Sequence, residues 1–250
     1  SSDDKQVGAT ASPTAAKGTY SIQVSQLAKA QSVAAPSVAT ADTNVGTGSL
    51  TITLGSYDSG TNTFTNNADK TPVTINIGTG QQTLEGIRQA INDSNAGVNA
   101  SIINDGNGSR LVLTSKDTGA VNGFKLEVAD ADGNNTDTAG LSRLAFDPTA
   151  AVGAGKNASS LQVAQNANFT INNLAVSKAS NTVTDAVQGL TLNLKAVTTT
   201  AVNLEVGLDD TALKTTLDGF VAAYNKIRGN LKDQQQKDAT LSKETTPSAL

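Results

Sequence analysis

Residues 83–124, TLEGIRQAINDSNAGVNASIINDGNGSRLVLTSKDTGAVNGF, leave the chain little conformational choice. Thr83 suits a helix N-cap, and Glu85 puts a negative charge in the first turn, where the exposed amides favour it. Leu84, Ile87 and Ile91 recur at helical spacing, and Asn95 to Gly97 supplies a stop. A hairpin is predicted next. Val98, Ala100 and Ile102 alternate with polar residues, NDGNG (104–108) is dense in turn formers, and Leu111 and Leu113 alternate again. Asn122-Gly123 then turns the chain into a further strand carrying Phe124, Leu126 and Val128.

The core of such a unit must be made from small aliphatic side chains. Hydrophobic residues make up 37% of the 250 residues but aromatics only 3%, and Cys, Met, Trp and His are absent. Ala, Val, Leu and Ile bury less area per side chain than Phe or Trp, so β-ladders and partner subunits must carry more of the stability. Without cysteine there is no disulfide framework or thiolate nucleophile. Without histidine there is no Ser–His–Asp triad and no imidazole metal ligand. A net charge of −4 argues against a nucleic-acid binder, which needs a basic face for phosphates. No apolar run approaches the ~20 residues that cross a bilayer, so membrane insertion is not expected. The start of the chain, SSDDKQVGATASPTAAKG, lacks the apolar segment of a signal peptide.

Taken in order, residues 1–17 read as a polar lead-in, mobile at its start. Tyr20, Ile22 and Val24 alternate as a strand. Leu27, Ala28, Ala30 and Val33 fit either its continuation after a bend or a helical turn. Residues 36–49 (PSVATADTNVGTGS) look like a linker. Leu50, Ile52 and Leu54 form a strand, a polar excursion follows over 56–70, and Val73, Ile75 and Ile77 form another. Residues 130–140 read as a turn-rich loop and 148–160 as a second linker. Beyond it, Phe169 and Ile171 face Leu174 and Val176 across Asn172-Asn173, a dipeptide that accepts the φ > 0 positions of a tight hairpin. TVTDAVQ (182–188) fits a short helix ended by Gly189. Leu190, Leu192 and Leu194, then Val202, Leu204 and Val206, are strands.

The expected fold is mainly β with short helices (α+β). Two β-rich domains are expected, one inserted into the other. The first comprises 18–45 plus 158–207, the insertion 46–157, and a helical segment with a polar tail occupies 208–250. That last element differs in kind. Asp209 or Asp210 can cap a helix bearing Leu213, Leu217, Phe220, Tyr224, Ile227 and Leu231, spaced four, three, four, three and four: a heptad seam. From Leu213 to Leu231 it would run roughly 27 Å at ~1.5 Å per residue. Gly219 and Gly229 each weaken it by about 1 kcal/mol relative to Ala. Such a helix needs a partner, and no other segment here matches its length. The chain reads as a piece of a longer one.

Several fragments of catalytic motifs fail on inspection. Gly153-Ala154-Gly155-Lys156 lacks both the first Gly of a phosphate loop and the hydroxyl after Lys, which is Asn157. Asp130-Ala131-Asp132-Gly133-Asn134 has its Gly too early for a calcium loop, and Leu141 stands where the closing Glu belongs. The loop Asp105–Gly108 reads as a turn. Glu85, Asp93, Asp105, Glu127, Asp185 and Glu205 sit among helix and hairpin signals, where caps and solvated faces are the default. No catalytic, cofactor-binding or metal-binding residue is assigned, and no enzyme activity is expected.

The helix ending in AIN with its VNASIINDGNGSRLVLTSKDTGAVNGF hairpin resembles the short repeat of flagellins and hook-associated proteins. GTYSIQVSQLAKAQ, FTINNLAVSKASNTVTDAVQGLTLNLKA and LKTTLDGFVAAYNKI, in that order, resemble the flagellar filament cap family, hook-associated protein 2. The resemblance covers most of 18–231 and is weakest over 56–70 and 130–160. Asn173 stands where the family usually has Gly. The resemblance implies an oligomeric lid at the tip of the bacterial flagellum, retaining exported flagellin and promoting its polymerisation. Its implied partners are further copies of itself, flagellin and hook–filament junction proteins; host surface glycans belong to the adhesin reading, which the three Tyr and five Phe, most at predicted core positions, count against. It also implies an extracellular location reached by the flagellar type III route, without a cleaved signal peptide. Alternative readings are another axial protein, flagellin or junction protein, and a surface adhesin binding host glycan.

Overall fold

The computed structural model describes the backbone of residues 1–207 and 210–241 and the side chains of 1–207 and 213–234. Ser1–Glu205 make one compact unit, and the chain from Val206 onward belongs to a second. The first unit is mainly β, as its alternating apolar residues predict.

Around the organising stretch, expectation and structure agree closely. Helix α1 (Leu84–Asp93) starts at Thr83, whose Oγ1 accepts the Gly86 N–H at 3.2 Å, and it buries Leu84, Ile87 and Ile91. It ends where Asn95 and Gly97 take φ of 55° and 79°. Strands β7 (Val98–Asn104) and β8 (Ser109–Ser115) pair antiparallel as the predicted hairpin. The next strand, β9 (Gly123–Asp130), does not extend that hairpin. It pairs along its full length with β4 (Gly48–Asp58). β4 also pairs with β5 (Thr63–Asn66) and β6 (Val73–Ile77), so the polar excursion is a hairpin. Leu50, Ile52 and Leu54 of β4, Leu111 and Leu113 of β8, Phe124 and Leu126 of β9 and the apolar face of α1 share one core.

Residues 36–49 and 148–160 are not free linkers. Ala35, Val38 and Val45 pack into the same core, and the Val38 amide and carbonyl both pair with Ser109. Ala158 is buried, and Phe146 forms bridges with Leu126 and Lys156. Small polar composition concealed apolar anchors spaced too irregularly to show a period. A 3-10 turn at Leu141–Leu144, unforeseen, buries both leucines completely.

The segment around Ala30 is extended rather than helical. β3 (Ser32–Ala34) pairs with β8 and with β10 (Ser159–Gln162), so its ladder joins segments from both sides of the expected boundary at residue 45. Another sheet orders β12 (Leu174–Lys178), β11 (Ala167–Ile171), β2 (Gly18–Gln26) and β15 (Val202–Val206). Asn172 and Asn173 link β11 to β12 with φ of 49° and 67°, the left-handed pair that a primed turn requires.

Two expectations are corrected here. Residues 182–188 form not a helix but strand β13 (Thr182–Val187), paired with β14 (Leu190–Leu194). The four-residue step from Val183 to Val187 arises from a register shift between them, and Thr182, Val183 and Thr184 are β-branched strand formers. The start of the chain is likewise structured. β1 (Val7–Ala11) adds to β14, Val7 is fully buried, and the Ser2 N–H donates to the Asn203 carbonyl at 2.8 Å.

Phe124 is the largest side chain of this core with no exposure, and its ring lies 6.3 Å from that of Phe146. Phe124→Ala should lower the unfolding free energy by about 3–5 kcal/mol. Leu174→Ala, at a side chain 72% exposed, should stay within about 0.5 kcal/mol of the parent. Urea denaturation of the two variants checks both values.

Candidate functional site

Helix α2 (Asp210–Leu241) carries the seam. Asp209 and residues 242–250 lie outside the described residues, so the alternative cap and the end of the polar tail are not placed. Leu213, Leu217, Phe220, Tyr224, Ile227 and Leu231 all fall on this helix, and each is exposed by 54–69%. At 3.6 residues per turn their steps put them on one stripe. Leu213, Phe220 and Ile227 drift by only about 20° per heptad, the mismatch a left-handed supercoil absorbs. Val221, 51% exposed, widens the stripe. Its spacing, four after Leu217 and three before Tyr224, was a visible signal that a strict heptad reading passed over. Asp218, Lys226 and Asp233 point away from the stripe by the same geometry. The arrangement offers apolar area and no reactive group.

Elsewhere the acids serve local structure. Glu85 pairs with Arg88, Asp105 with Arg110, Glu127 with Lys125 at 3.2 Å and Asp185 with Lys178 at 2.6 Å. Asp93 and Glu205 are exposed. The Arg88 hydrogen bond holds the Glu85 carboxyl below its ordinary value, and the Lys178 hydrogen bond does the same for Asp185. Asp105 is lowered first by the Asn107 N–H and then by Arg110, and Asp58 by the Gly60 N–H.

The calcium-like loop spends its oxygens on the chain itself. Asp130 accepts the Ser142 N–H at 2.8 Å, Asp132 accepts the Asn134 N–H at 2.8 Å, and Asp137 accepts the Ser142 hydroxyl at 2.7 Å. Among the described residues no group of three or more acids could hold a metal ion. The glycine-rich turn at 153–156 folds back so that the Asp147 N–H donates to the Gly155 carbonyl, and the Lys156 ammonium reaches the Pro148 carbonyl. Among the described residues no helix is long and apolar enough to cross a membrane.

Two family models match the chain. Residues 164–250 match the family model for the flagellar hook-associated protein 2 C-terminus, and residues 49–117 match that for the flagellin hook IN motif. The B-type flagellar hook-associated protein 2 of Pseudomonas aeruginosa is 37% identical over 241 residues, covering 94% of this chain and 48% of that protein. Flagellar hook-associated protein 2 of Escherichia coli K12 is 37% identical over 88% of this chain and 43% of its own length. The chain thus spans about half the length of the curated relatives it matches. Among solved structures, FliD (HAP2) from P. aeruginosa PAO1 superposes with a TM-score of 0.70 at 33% identity, over 99% of this chain and all of that one. The D2–D3 domains of the flagellar cap protein FliD from E. coli give 0.67 at 36%, over 82% and 95%.

The lowered carboxyls set a pH dependence. A lowered folded value stabilises the fold fully above the unfolded value, ordinarily 4.5 for Glu85 and 3.8 for the three aspartates. That contribution is lost as pH falls through the lower folded values. The melting temperature should therefore hold between about pH 7 and 5 and fall below about pH 4, with a smaller drop in high salt. Thermal scans across that range, with and without added salt, check it.

Proposed function

The chain belongs to the flagellar hook-associated protein 2 family, and from that premise we propose that it forms the head and the first part of the leg of a filament cap. In this reading it sits outside the cell at the distal tip of the flagellum. Several copies form a lid that retains exported flagellin and promotes its polymerisation. The observation that carries the proposal is the near-complete mutual coverage with the P. aeruginosa structure, 99% of this chain and 100% of that one. A flagellin would share the IN motif, matched over 49–117, but not the hook-associated protein 2 C-terminal match over 164–250.

The exposed stripe on α2 takes a definite role in this proposal. Full burial of a Leu, Ile or Phe side chain is worth about 1.5–3 kcal/mol relative to exposure. Five such residues and Tyr224 on a helix weakened by two glycines favour packing against leg helices from the rest of the protein or from neighbouring copies. Flagellin and hook–filament junction proteins are the remaining partners proposed, and export follows the flagellar type III route. The two-domain head is likewise part of the proposal. The pairing of β3 with β8 favours a crossing near Lys29 rather than at residue 45.

Immunogold labelling of whole cells of the source organism, with antibody against residues 1–250, tests the reading. Gold confined to filament tips is expected. Label along the shaft, only at the hook junction, or absent from accessible filaments would overturn it. In the full-length protein, Phe220→Asp should reduce filament assembly and swimming. In the 250-residue chain the same change should shift the head melting temperature by less than about 2 °C, since Phe220 is 69% exposed. A larger shift would mean that the head itself depends on Phe220.

A further inference from the structure

The sequence contains two Asn–Gly pairs, Asn107-Gly108 and Asn122-Gly123. This dipeptide is the most prone to spontaneous ring closure, because glycine puts no side chain in the way of its own backbone nitrogen. The fold treats the two pairs in opposite ways.

Asn122 is clamped. Its side-chain amide donates to the Thr118 carbonyl at 2.7 Å, and its own carbonyl accepts the Ser115 hydroxyl at 2.6 Å. The attacking group of that pair, the Gly123 N–H, donates to the Ala120 carbonyl, and Gly123 is buried at the start of β9. The nucleophile and the amide it would attack are each held by a hydrogen bond within residues 118–123 that must break before they can meet.

Asn107 is free. It lies exposed in the four-residue loop between β7 and β8. Among the described residues neither its side-chain amide nor the Gly108 N–H has a hydrogen-bond partner. The loop is held from elsewhere. Asp105 accepts the Asn107 N–H at 2.9 Å and the Arg110 guanidinium, and the Asp105 N–H donates to the Gly108 carbonyl at 3.2 Å. The fold also keeps glycine in place. Gly108 has φ of 140°, and a Cβ there would lie 2.3 Å from the Val38 carbonyl oxygen. Packing against Val38 thus preserves the reactive pair.

We propose that Asn107 is a self-modification site at which the folded protein deamidates, while Asn122 is silenced by its hydrogen bonds. The deprotonated Gly108 nitrogen attacks Cγ of Asn107. The new C–N bond forms as the Cγ–Nδ2 bond breaks, and ammonia leaves with the transferred proton. Water then opens the succinimide at either carbonyl, giving aspartate or isoaspartate, with no change of oxidation state. The product places a second carboxylate beside Asp105 and Arg110 at the tip of the hairpin. Because the Asn107 side chain holds nothing in place, the charge appears without loss of the fold.

The test is incubation of the 250-residue chain at 37 °C and mildly alkaline pH, with peptide mass mapping over time and an isoaspartate assay. The peptide holding Asn107 should gain one mass unit and isoaspartate. The peptide holding Asn122 should react at least about tenfold more slowly, the ratio that an opening free energy of ~1.4 kcal/mol imposes. In denaturant the two rates should converge. Asn107→Gln should remove the early product and leave the melting temperature unchanged. Equal native rates at both sites, or a silent Asn107 in a chain that reacts there when unfolded, would overturn the proposal.

Discussion

β4 is the strand on which the first unit depends. Residues 48–52 lie between β6 and β9, and residues 55–58 pair with β5, which takes over the edge that β6 leaves, while β9 pairs as far as Gly55. One strand therefore satisfies backbone groups of three others while Leu50, Ile52 and Leu54 face the core. An unpaired buried amide or carbonyl costs about 1–3 kcal/mol, so losing the register of β4 would expose many such groups at once. Gly48 and Gly55 mark where it is tightest: a Cβ would fall 2.2 Å from the Ala129 oxygen and 2.3 Å from the Thr65 oxygen.

With few aromatics, cross-links between sheets come from side-chain amides used as substitute backbone. Gln31 is buried and both donates to and accepts from the Phe124 main chain, at 2.8 and 3.0 Å. Asn92 of α1 does the same to Ala100 at 2.9 and 2.7 Å, covering the open side of β7. Asn181 repeats the arrangement on Ala28 at 2.9 and 2.7 Å. Each joins segments with no continuous ladder between them, and each supplies one donor and one acceptor in the plane of a peptide group. A chain short of large apolar side chains thus gains directional ties where it lacks buried area.

The sequence was legible where its local signals pointed the same way. Thr83, Leu84, Ile87 and Ile91 announce α1 because a cap and a helical period coincide, and Asn172-Asn173 announces a hairpin because few residues accept φ > 0. It was misleading where two signals overlapped. Val183 and Val187 show a helical step only because a strand shifts register between them. It was silent where contacts are long-range: nothing local says that Val7 adds to β14 or that β9 leaves the hairpin for β4. The apolar stripe of α2 was legible because a helix needs only its own period, although Val221 shows that the stripe is wider than a strict heptad.

That difference bears on how head and helix divide the work. The first unit packs one shared apolar core within Ser1–Glu205. α2 satisfies its backbone internally yet leaves Leu213, Phe220 and Ile227 more than half exposed. A closed β unit tolerates substitution at its surface loops, because little of its energy resides there. A helix with an open stripe derives its stability from whatever covers it, so its order is coupled to assembly. In the proposed oligomeric cap, this division puts the folding free energy in the first unit and the assembly free energy in α2. Each can then change in sequence without disturbing the other.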